Sequence, residues 1–225
     1  MTQPVLAIAH RGGNSLSELR AATQLPADVI ECDVHHYRGR LEVRHLKTAG
    51  PLPFLWDRWE VRSASAPRLG LAELLLADEH GSRFMLDLKT RNPRTALAVA
   101  QLLHDLGLHR EVLVCGRYWP SVIGAAAALR YVRPVLSART SGELVKLRSR
   151  LHAPPPGAPA TYGVSVHRTL LDATVVAWLH RHVGVVMTWP VNDTLALDAM
   201  LAAGVTGIIS DEQSVLADLL ERRGR

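Results

Sequence analysis

The sequence predicts a (β/α)8 barrel, a closed sheet of eight parallel strands that alternate with helices. Three observations lead to this prediction. Eight short apolar segments recur along the 225 residues, and many are continuously apolar, as buried parallel strands are. Helical patterns such as "TLALDAMLAAG" lie between most of them. One such barrel commonly has about this length, so we expect a single domain over 1–225.

The strands are predicted from the apolar runs and from the turn residues that bound them. They cover 5–10, 28–34, 83–89, 111–116, 133–138, 162–167, 184–189 and 204–210. An extra antiparallel strand is expected at 41–45, because "YRGRLEVRH" has the pattern of a hairpin with Arg38 and Gly39 in its turn. The Pro-rich stretch 152–160 is typical of a surface loop.

Composition and charge limit the classes of protein to consider. Hydrophobic residues make up 48% and charged residues 21% of the chain, as in folded globular proteins, so extended disorder is not expected. The net charge of +5 favours anionic ligands, but lysine and arginine are scattered, so we do not expect a nucleic-acid partner. Cys32 and Cys115 lie in apolar segments and are expected to be buried free thiols.

No segment approaches the roughly 20 apolar residues of a transmembrane helix. The first residues also lack the basic and apolar regions of a signal peptide. We therefore expect a cytoplasmic protein without a transmembrane segment.

The end of the first strand, "AIAHRGGNS", combines an imidazole, a guanidinium and two glycines. Ser15 and Glu18 form a capping-box pattern, which predicts that a helix begins at Asn14 or Ser15. A helix N-terminus favours an anion, and Arg11 offers two parallel donors to a phosphate or a carboxylate. The stretch therefore predicts an anion site with the imidazole of His10 beside it.

Three carboxylates follow at the ends of the next strands. Glu31 and Asp33 are two residues apart and point to the same face, and Asp87 ends the following barrel strand, with Lys89 two residues on. Such oxygen ligands suit a hard divalent ion, Mg²⁺ or Ca²⁺, although the Glu31–Asp33 pair alone also fits a salt-bridged strand end. His45 lies near this group, and with His10 it could divide acid and base catalysis.

Several other side chains are weaker candidates. His35 shares the face of Glu31 and Asp33, but a structural role is favoured for it. His36 should face the other way. For His167, at the end of the sixth predicted strand, both a site role and a structural role are left open. Trp189 could form an apolar wall of a substrate pocket or pack in the core, and Asp211 could cap the last helix.

Five pieces of the sequence, in order and at the predicted strand ends, carry a resemblance. They are "AHRGGNS", "IECDV" with the hairpin to His45, "LDLKT", "MTWPVND" and "GVTGIISD". Together they resemble the glycerophosphodiester phosphodiesterase family, and more distantly the phosphatidylinositol-specific phospholipases C and sphingomyelinase D enzymes that share its barrel. The likeness covers nearly the whole chain.

The resemblance implies a metal-dependent phosphodiesterase that cleaves glycerophosphodiesters or lysophospholipids to a glycerol phosphate and an alcohol. It makes His10 and His45 the acid–base pair and assigns phosphate binding to Arg11 and Lys89. The implied ligands of Mg²⁺ or Ca²⁺ are Glu31, Asp33 and Asp87. A vicinal glycerol hydroxyl could attack first and give a cyclic phosphate. With a lipid-like substrate, the protein could contact a membrane surface transiently.

The chain departs from the family pattern at three positions. Gly13 falls where the family has a glutamate, Leu46 replaces the aspartate that normally follows His45, and Asp87 replaces a glutamate. These departures support an alternative function, a catalytically silent barrel that binds phosphorylated ligands or a protein partner.

The segment 46–70 is short compared with many members of the family, which predicts an open mouth. Within it, "PLPFLWDRW" contains Phe54, Trp56 and Trp59. These aromatic residues either contact an apolar part of the substrate at the mouth or pack under the barrel rim.

Overall fold

The computed structural model describes residues 4–49, 52–57, 60–92 and 94–224. Within them eight parallel strands close into a barrel in the order β1, β2, β7, β8, β9, β10, β11 and β12, and β12 pairs with β1. The predicted (β/α)8 fold is therefore confirmed. The strands are β1 (Leu6–Ala9), β2 (Val29–Tyr37), β3 (Arg40–Val43), β4 (Lys47–Thr48), β5 (Phe54–Trp56), β6 (Val61–Ser63), β7 (Phe84–Leu88), β8 (Val112–Gly116), β9 (Val132–Ala138), β10 (Gly163–His167), β11 (Val185–Trp189) and β12 (Gly207–Ser210).

Helices cover the outside of the barrel. They are α1 (Leu16–Gln24), α2 (Leu71–Leu76), α3 (Arg94–Asp105), α4 (Trp119–Ala128), α5 (Ser141–His152), α6 (Ala173–His180), α7 (Thr194–Ala202) and α8 (Gln213–Arg223), with a 3-10 turn at Arg168–Leu170. Ser15 caps α1 by accepting the Glu18 N–H at 3.1 Å, which confirms the predicted helix start. None of the described helices has the length and apolar character needed to cross a membrane.

Alternation along the strands divides the core into two layers. One set of apolar side chains packs between the sheet and the helices, and the other fills the barrel interior. The interior set includes Ile8, Val29, Met85, Leu113, Val135, Met187 and Ile209, all at most 4% exposed. Because alternate residues share a face, a polar residue two positions beyond the last interior apolar residue points into the mouth of the barrel.

An ionic network lies at the opposite, amino-terminal end of the barrel. Glu111 pairs with Arg83 and, at 2.7 Å, with Arg133, and Arg83 also donates to the hydroxyl of Tyr162 at 2.8 Å. Active sites of this fold lie at the other end, at the carboxyl ends of the strands.

The predicted extra strand is present outside the ring. β3 pairs antiparallel with the end of β2, and His36 lies opposite Leu41. Arg38 (φ 48°) and Gly39 (φ 78°) both adopt the left-handed conformation that a two-residue hairpin turn requires. The strand ends at Val43, which leaves His45 free of the ladder and close to the mouth.

The segment after β3 forms a small antiparallel sheet, β4–β5–β6, that the sequence did not predict. Leu55 is buried in a small apolar cluster with Leu46 and Ala64. Trp56, on the other face, is 41% exposed beside Lys47, whose Nζ lies 5.6 Å from the ring centroid. Packing under the rim is thus wrong for Trp56, whereas Trp59 lies outside the described residues.

Candidate active site

The carboxyl ends of β1, β2 and β7 bring the predicted site residues together. His10 follows β1, Glu31 and Asp33 lie in β2, and Asp87 and Lys89 lie in and just after β7. Asp33 and Asp87 are register partners on neighbouring parallel strands. Because side chains alternate between the two faces of each strand, these side chains all point into the mouth of the barrel, as the sequence predicted.

The three carboxylates form a compact acidic group. Each of Glu31, Asp33 and Asp87 offers an oxygen, and these oxygens lie within 4.8 Å of one another. A hard divalent ion at about 2.0–2.6 Å from its ligands spans oxygen separations up to about 5 Å. The donor type and spacing therefore fit Mg²⁺ or Ca²⁺. In the structure Lys89 Nζ contacts Asp33 Oδ1 at 2.7 Å and also contacts Asp87.

Burial makes the charges of this group interdependent. Desolvation raises the pKa of Glu31 to about 7, and the negative charge of Asp33 contributes to this shift. Burial also acts to raise the pKa of Asp33, but the Lys89 charge and hydrogen bonds from His45, Lys89 and Asn14 outweigh it and lower that pKa. The carboxylates raise the pKa of Lys89 well above its ordinary value despite its burial. Negative charge thus exceeds positive charge when Glu31 is ionised, which favours an added cation.

Arg11 links the anion site to the carboxylates. Its backbone adopts the left-handed region (φ 55°), which is uncommon outside glycine, and its N–H donates to Glu31 Oε2 at 2.6 Å. Its guanidinium lies with Nη2 3.4 Å from His45 Nε2 and Nε 3.8 Å from Asp33 Oδ2. The side chain is 38% exposed, so it can also meet a phosphate that enters the mouth.

His10 is oriented by a carboxylate from the opposite end of the chain. Its Nδ1 lies 2.6 Å from Asp211 Oδ1, while its Nε2 faces Glu31 Oε2 at 4.0 Å. Asn192 holds Asp211 by donating to Oδ2 at 3.0 Å and accepting the Asp211 N–H at 3.1 Å. The suggestion that Asp211 caps the last helix is wrong, because Glu212 occupies the N-cap of α8.

This arrangement raises the pKa of His10. Burial alone would lower it, but the hydrogen bond to Asp211 and the negative charges of Glu31 and Asp211 outweigh the desolvation. In return, the hydrogen bond with His10 lowers the pKa of Asp211 to about 2. The pair therefore keeps His10 ready to hold a proton.

Replacing Asp211 with asparagine is expected to lower the pKa of His10, because the ring loses the negative charge beside Nδ1. The His10 titration can be followed by NMR. Asp105→Asn, at the exposed end of α3 outside the barrel, provides a carboxylate control away from His10. An unchanged His10 titration in Asp211→Asn would contradict the orienting role.

His45 contacts the carboxylate group from its other side. Its Nδ1 lies 3.2 Å from Asp33 Oδ2, and Asp57 from the end of β5 places Oδ2 3.9 Å from its Nε2. Leu46, the residue after His45, is buried with Leu55 of the small sheet. A carboxylate near His45 is thus supplied by the small sheet instead of by the next residue.

Asn14 was not predicted as a site residue. Its Nδ2 donates to Asp33 Oδ2 at 2.9 Å, and its Oδ1 accepts the Asp33 N–H at 2.8 Å, so it fixes both the side chain and the backbone of Asp33. Asparagine is common before helices, so its sequence position gave no distinguishing signal. Asp211 could have been found, because it lies two residues beyond the interior Ile209.

The remaining candidates lie apart from the carboxylates or at the rim. His35 is buried, and desolvation with the nearby Arg44 charge lowers its pKa to about 3, which fits the favoured structural role. His36 faces the other way and lies 3.3 Å from Thr95 Oγ1. His167 and Trp189 meet edge to face at 5.1 Å at the mouth. The role of Trp189 in a substrate pocket stays a prediction.

The departure at Gly13 has a packing cause. A Cβ at this position would lie 2.9 Å from the Cβ of Cys32 and 3.2 Å from a methyl group of Leu74. The Gly13 N–H also donates to the Glu31 carbonyl at 2.9 Å. The loop therefore passes too close to β2 for a side chain at position 13. Cys32 and Cys115 are buried free thiols, as predicted, and burial raises the pKa of both.

The fold and the site together define a class, a (β/α)8 barrel with a histidine and carboxylate site at the carboxyl ends of its strands. No protein-family model matches the chain, and no curated protein matches it. Solved structures do match the fold. One from Silicibacter pomeroyi, assigned as a glycerophosphoryl diester phosphodiesterase, has a TM-score of 0.79 and 15% identity over 100% of this chain and 95% of its own.

Two further solved structures agree with that match. A phosphodiesterase from Oleispira antarctica, in complex with the product sn-glycerol-3-phosphate, has a TM-score of 0.73 and 17% identity over 95% of this chain and 96% of its own. A glycerophosphodiester phosphodiesterase from Parabacteroides distasonis has a TM-score of 0.71 and 18% identity over 99% of this chain and 100% of its own. The resemblance noted in the motifs is thus confirmed at the level of the fold.

Proposed function

We propose that the protein is a metal-dependent phosphodiesterase that hydrolyses glycerophosphodiesters or lysophospholipids to a glycerol phosphate and an alcohol. The observation that carries the proposal is the placement of His10 and His45 against different members of one carboxylate group. The product bound in the Oleispira antarctica structure supports a small phosphate ester as ligand of this fold. We also keep the cytoplasmic location as a prediction.

The carboxylate group suits a divalent ion. Glu31, Asp33 and Asp87 would hold Mg²⁺ or Ca²⁺, which would polarise the phosphodiester. Lys89 contacts two of these carboxylates, so on metal binding its ammonium is available to move towards a phosphate oxygen. Arg11 lies on the other side of Asp33 and supplies a second positive charge to the same phosphate.

The two histidines divide the proton transfers. Each ring has Nδ1 at a carboxylate, Asp211 for His10 and Asp33 for His45. We assign the proton transfers to Nε2, which in His45 lies 3.4 Å from Arg11 Nη2 and 3.9 Å from Asp57 Oδ2. One histidine takes the proton of the attacking hydroxyl or water as its oxygen bonds to phosphorus. The other protonates the alcohol oxygen as its bond to phosphorus breaks. A vicinal glycerol hydroxyl as the nucleophile gives a cyclic phosphate that water opens.

A specific contact favours a second candidate, a silent barrel that binds phosphorylated ligands or a protein partner. Lys89 lies between Asp33 and Asp87, where it neutralises part of the charge that would attract a metal. Metal binding separates the two candidates, because a silent barrel has no need of a divalent ion.

The proposal is tested with a panel of glycerophosphodiesters and lysophospholipids in the presence of Mg²⁺ or Ca²⁺. We expect a glycerol phosphate and a free alcohol, identified by phosphorus NMR. A cyclic phosphate as the final product would identify a lyase instead. No turnover of any diester by metal-replete protein would overturn the proposal in favour of the silent barrel.

A further inference from the structure

The mouth has a second wall, opposite the carboxylates, that the proposed chemistry does not use. In the ring order β9 is four strands from β1 in either direction, so the end of β9 lies across the mouth from His10. A strand spacing of about 4.8 Å and a tilt of about 36° make an eight-stranded barrel about 15 Å across between backbones. Side chains from the two walls can therefore contact opposite ends of one small ligand.

Basic residues occupy this wall. Arg139 lies two residues beyond Ser137 of β9, and His167 lies two residues beyond Ser165 of β10, and these two serines are buried register partners. Parallel register therefore makes Arg139 and His167 neighbours at the mouth. His167 is in turn the register partner of Trp189. Arg139, His167 and Trp189 thus form a row across three adjacent strands.

The electrostatics of His167 agree with this placement. Its pKa is lowered chiefly by burial, and further by the positive charges of Arg139 and Arg168. His167 Nδ1 is engaged by Thr169 Oγ1 at 2.8 Å, which leaves Nε2 as its other polar atom.

The acid that contacts the backbone of Arg139 is committed to other partners. Glu143 Oε1 accepts from Arg117 Nε at 2.9 Å and from Nη2 at 2.5 Å. Its Oε2 accepts the backbone N–H groups of Arg139 at 2.7 Å and Thr140 at 3.2 Å. Among the described residues, no carboxylate is paired with the guanidinium of Arg139 or of Arg168, and both residues are exposed. Positive charge therefore exceeds negative charge on this wall.

We infer that Arg139, with Arg168 and His167, forms a second anion subsite that selects diesters whose alcohol carries a further phosphate or carboxylate. The inference rests on the proposed function for the position of the scissile phosphate, at Arg11 and Lys89. With that phosphate on one wall, the alcohol extends towards the other. A guanidinium binds a phosphate or carboxylate in two parallel hydrogen bonds, and the Trp189 ring flanks the connecting carbons.

Turnover of matched diesters tests the subsite. Glycerophosphoinositol phosphate and glycerophosphoserine carry the added anion, whereas glycerophosphoglycerol does not. In Arg139→Gln, kcat/KM for the two anionic diesters is expected to fall about tenfold or more, with a change of less than about twofold for glycerophosphoglycerol. Arg148→Gln, on the outer face of α5 over Trp178, is the matched control and should change neither. An equal fall for all three diesters, or no fall, would overturn the inference.

A binding measurement keeps this test separate from the proposed function. The probes are phosphoethanolamine and phosphoserine, which share the phosphate that corresponds to the scissile one and differ by a carboxylate on the alcohol. Both are measured by calorimetry with Mg²⁺ present. We expect the wild-type protein to bind phosphoserine about tenfold more tightly, and Arg139→Gln to lose that preference. This result can be obtained even if no diester is turned over. Absence of turnover would overturn the proposed phosphodiesterase activity and leave the subsite standing. Equal affinity of the wild-type protein for the two probes would overturn the subsite alone.

Discussion

Replacement of His10 by alanine is expected to reduce kcat for a glycerophosphodiester by about 10²- to 10⁴-fold, the range that general acid–base catalysis supplies. The reason is structural: His10 Nε2 faces Glu31 at 4.0 Å, while Asp211 fixes the other ring nitrogen at 2.6 Å. KM should change much less than kcat, because Arg11 and Lys89 remain to bind the phosphate. Steady-state kinetics measured by alcohol release give both constants.

His104→Ala is the matched control for this experiment, because His104 is exposed on α3 outside the barrel. Its kcat should equal that of the wild-type protein. Thermal unfolding of both variants would show whether the fold is retained. If His10→Ala kept more than about a tenth of the wild-type kcat while folded, His10 would not be an acid or base in this reaction.

Removal of divalent ions by a chelator is expected to lower turnover by at least about 10³-fold, because the carboxylates would then repel the phosphate instead of holding a Lewis acid. Adding Mg²⁺ or Ca²⁺ in excess should restore it. Asp87→Asn should weaken metal binding about tenfold or more, because one of three ligand charges is lost, whereas Asp87→Glu keeps the charge. Calorimetry on the substrate-free protein measures the affinity directly.

The exposed Glu79 provides the control, and Glu79→Gln should bind the metal as the wild-type protein does. Full turnover in the presence of a chelator would show that Lys89 and Arg11 neutralise the phosphate without a metal. Metal binding that survives in Asp87→Asn with unchanged affinity would remove Asp87 from the ligand set.

Much of the fold and the central part of the site followed from local patterns. The eight strands were predictable because parallel strands buried on both faces are continuously apolar. The grouping of Glu31, Asp33 and Asp87 was predictable because the side-chain period of two acts within each strand and because parallel strands end at the same edge. His10 and His45 were found as residues at the ends of such segments. Their chemical roles stay predictions.

Other features depend on contacts between distant parts of the chain. The partner of His10 is Asp211, 201 residues away, and a strand-end aspartate followed by a helix equally suggests a cap. The sheet β4–β5–β6 has strands of two or three residues, too short to show alternation. Arg139 follows an apolar strand like many surface arginines, and only the register of β9 with β10 places it beside His167.

The alternation of the barrel strands also determines where the chain can change its length during evolution. One residue inserted between Val29 and Glu31 would turn Glu31 and Asp33 towards the helices and Cys32 into the mouth, since each side chain beyond it would change faces. An insertion in the loop after Lys89 changes no strand face. Variation in length among descendants of this protein should therefore collect in the loops at the rim, where it alters what the mouth admits and leaves the carboxylates in place.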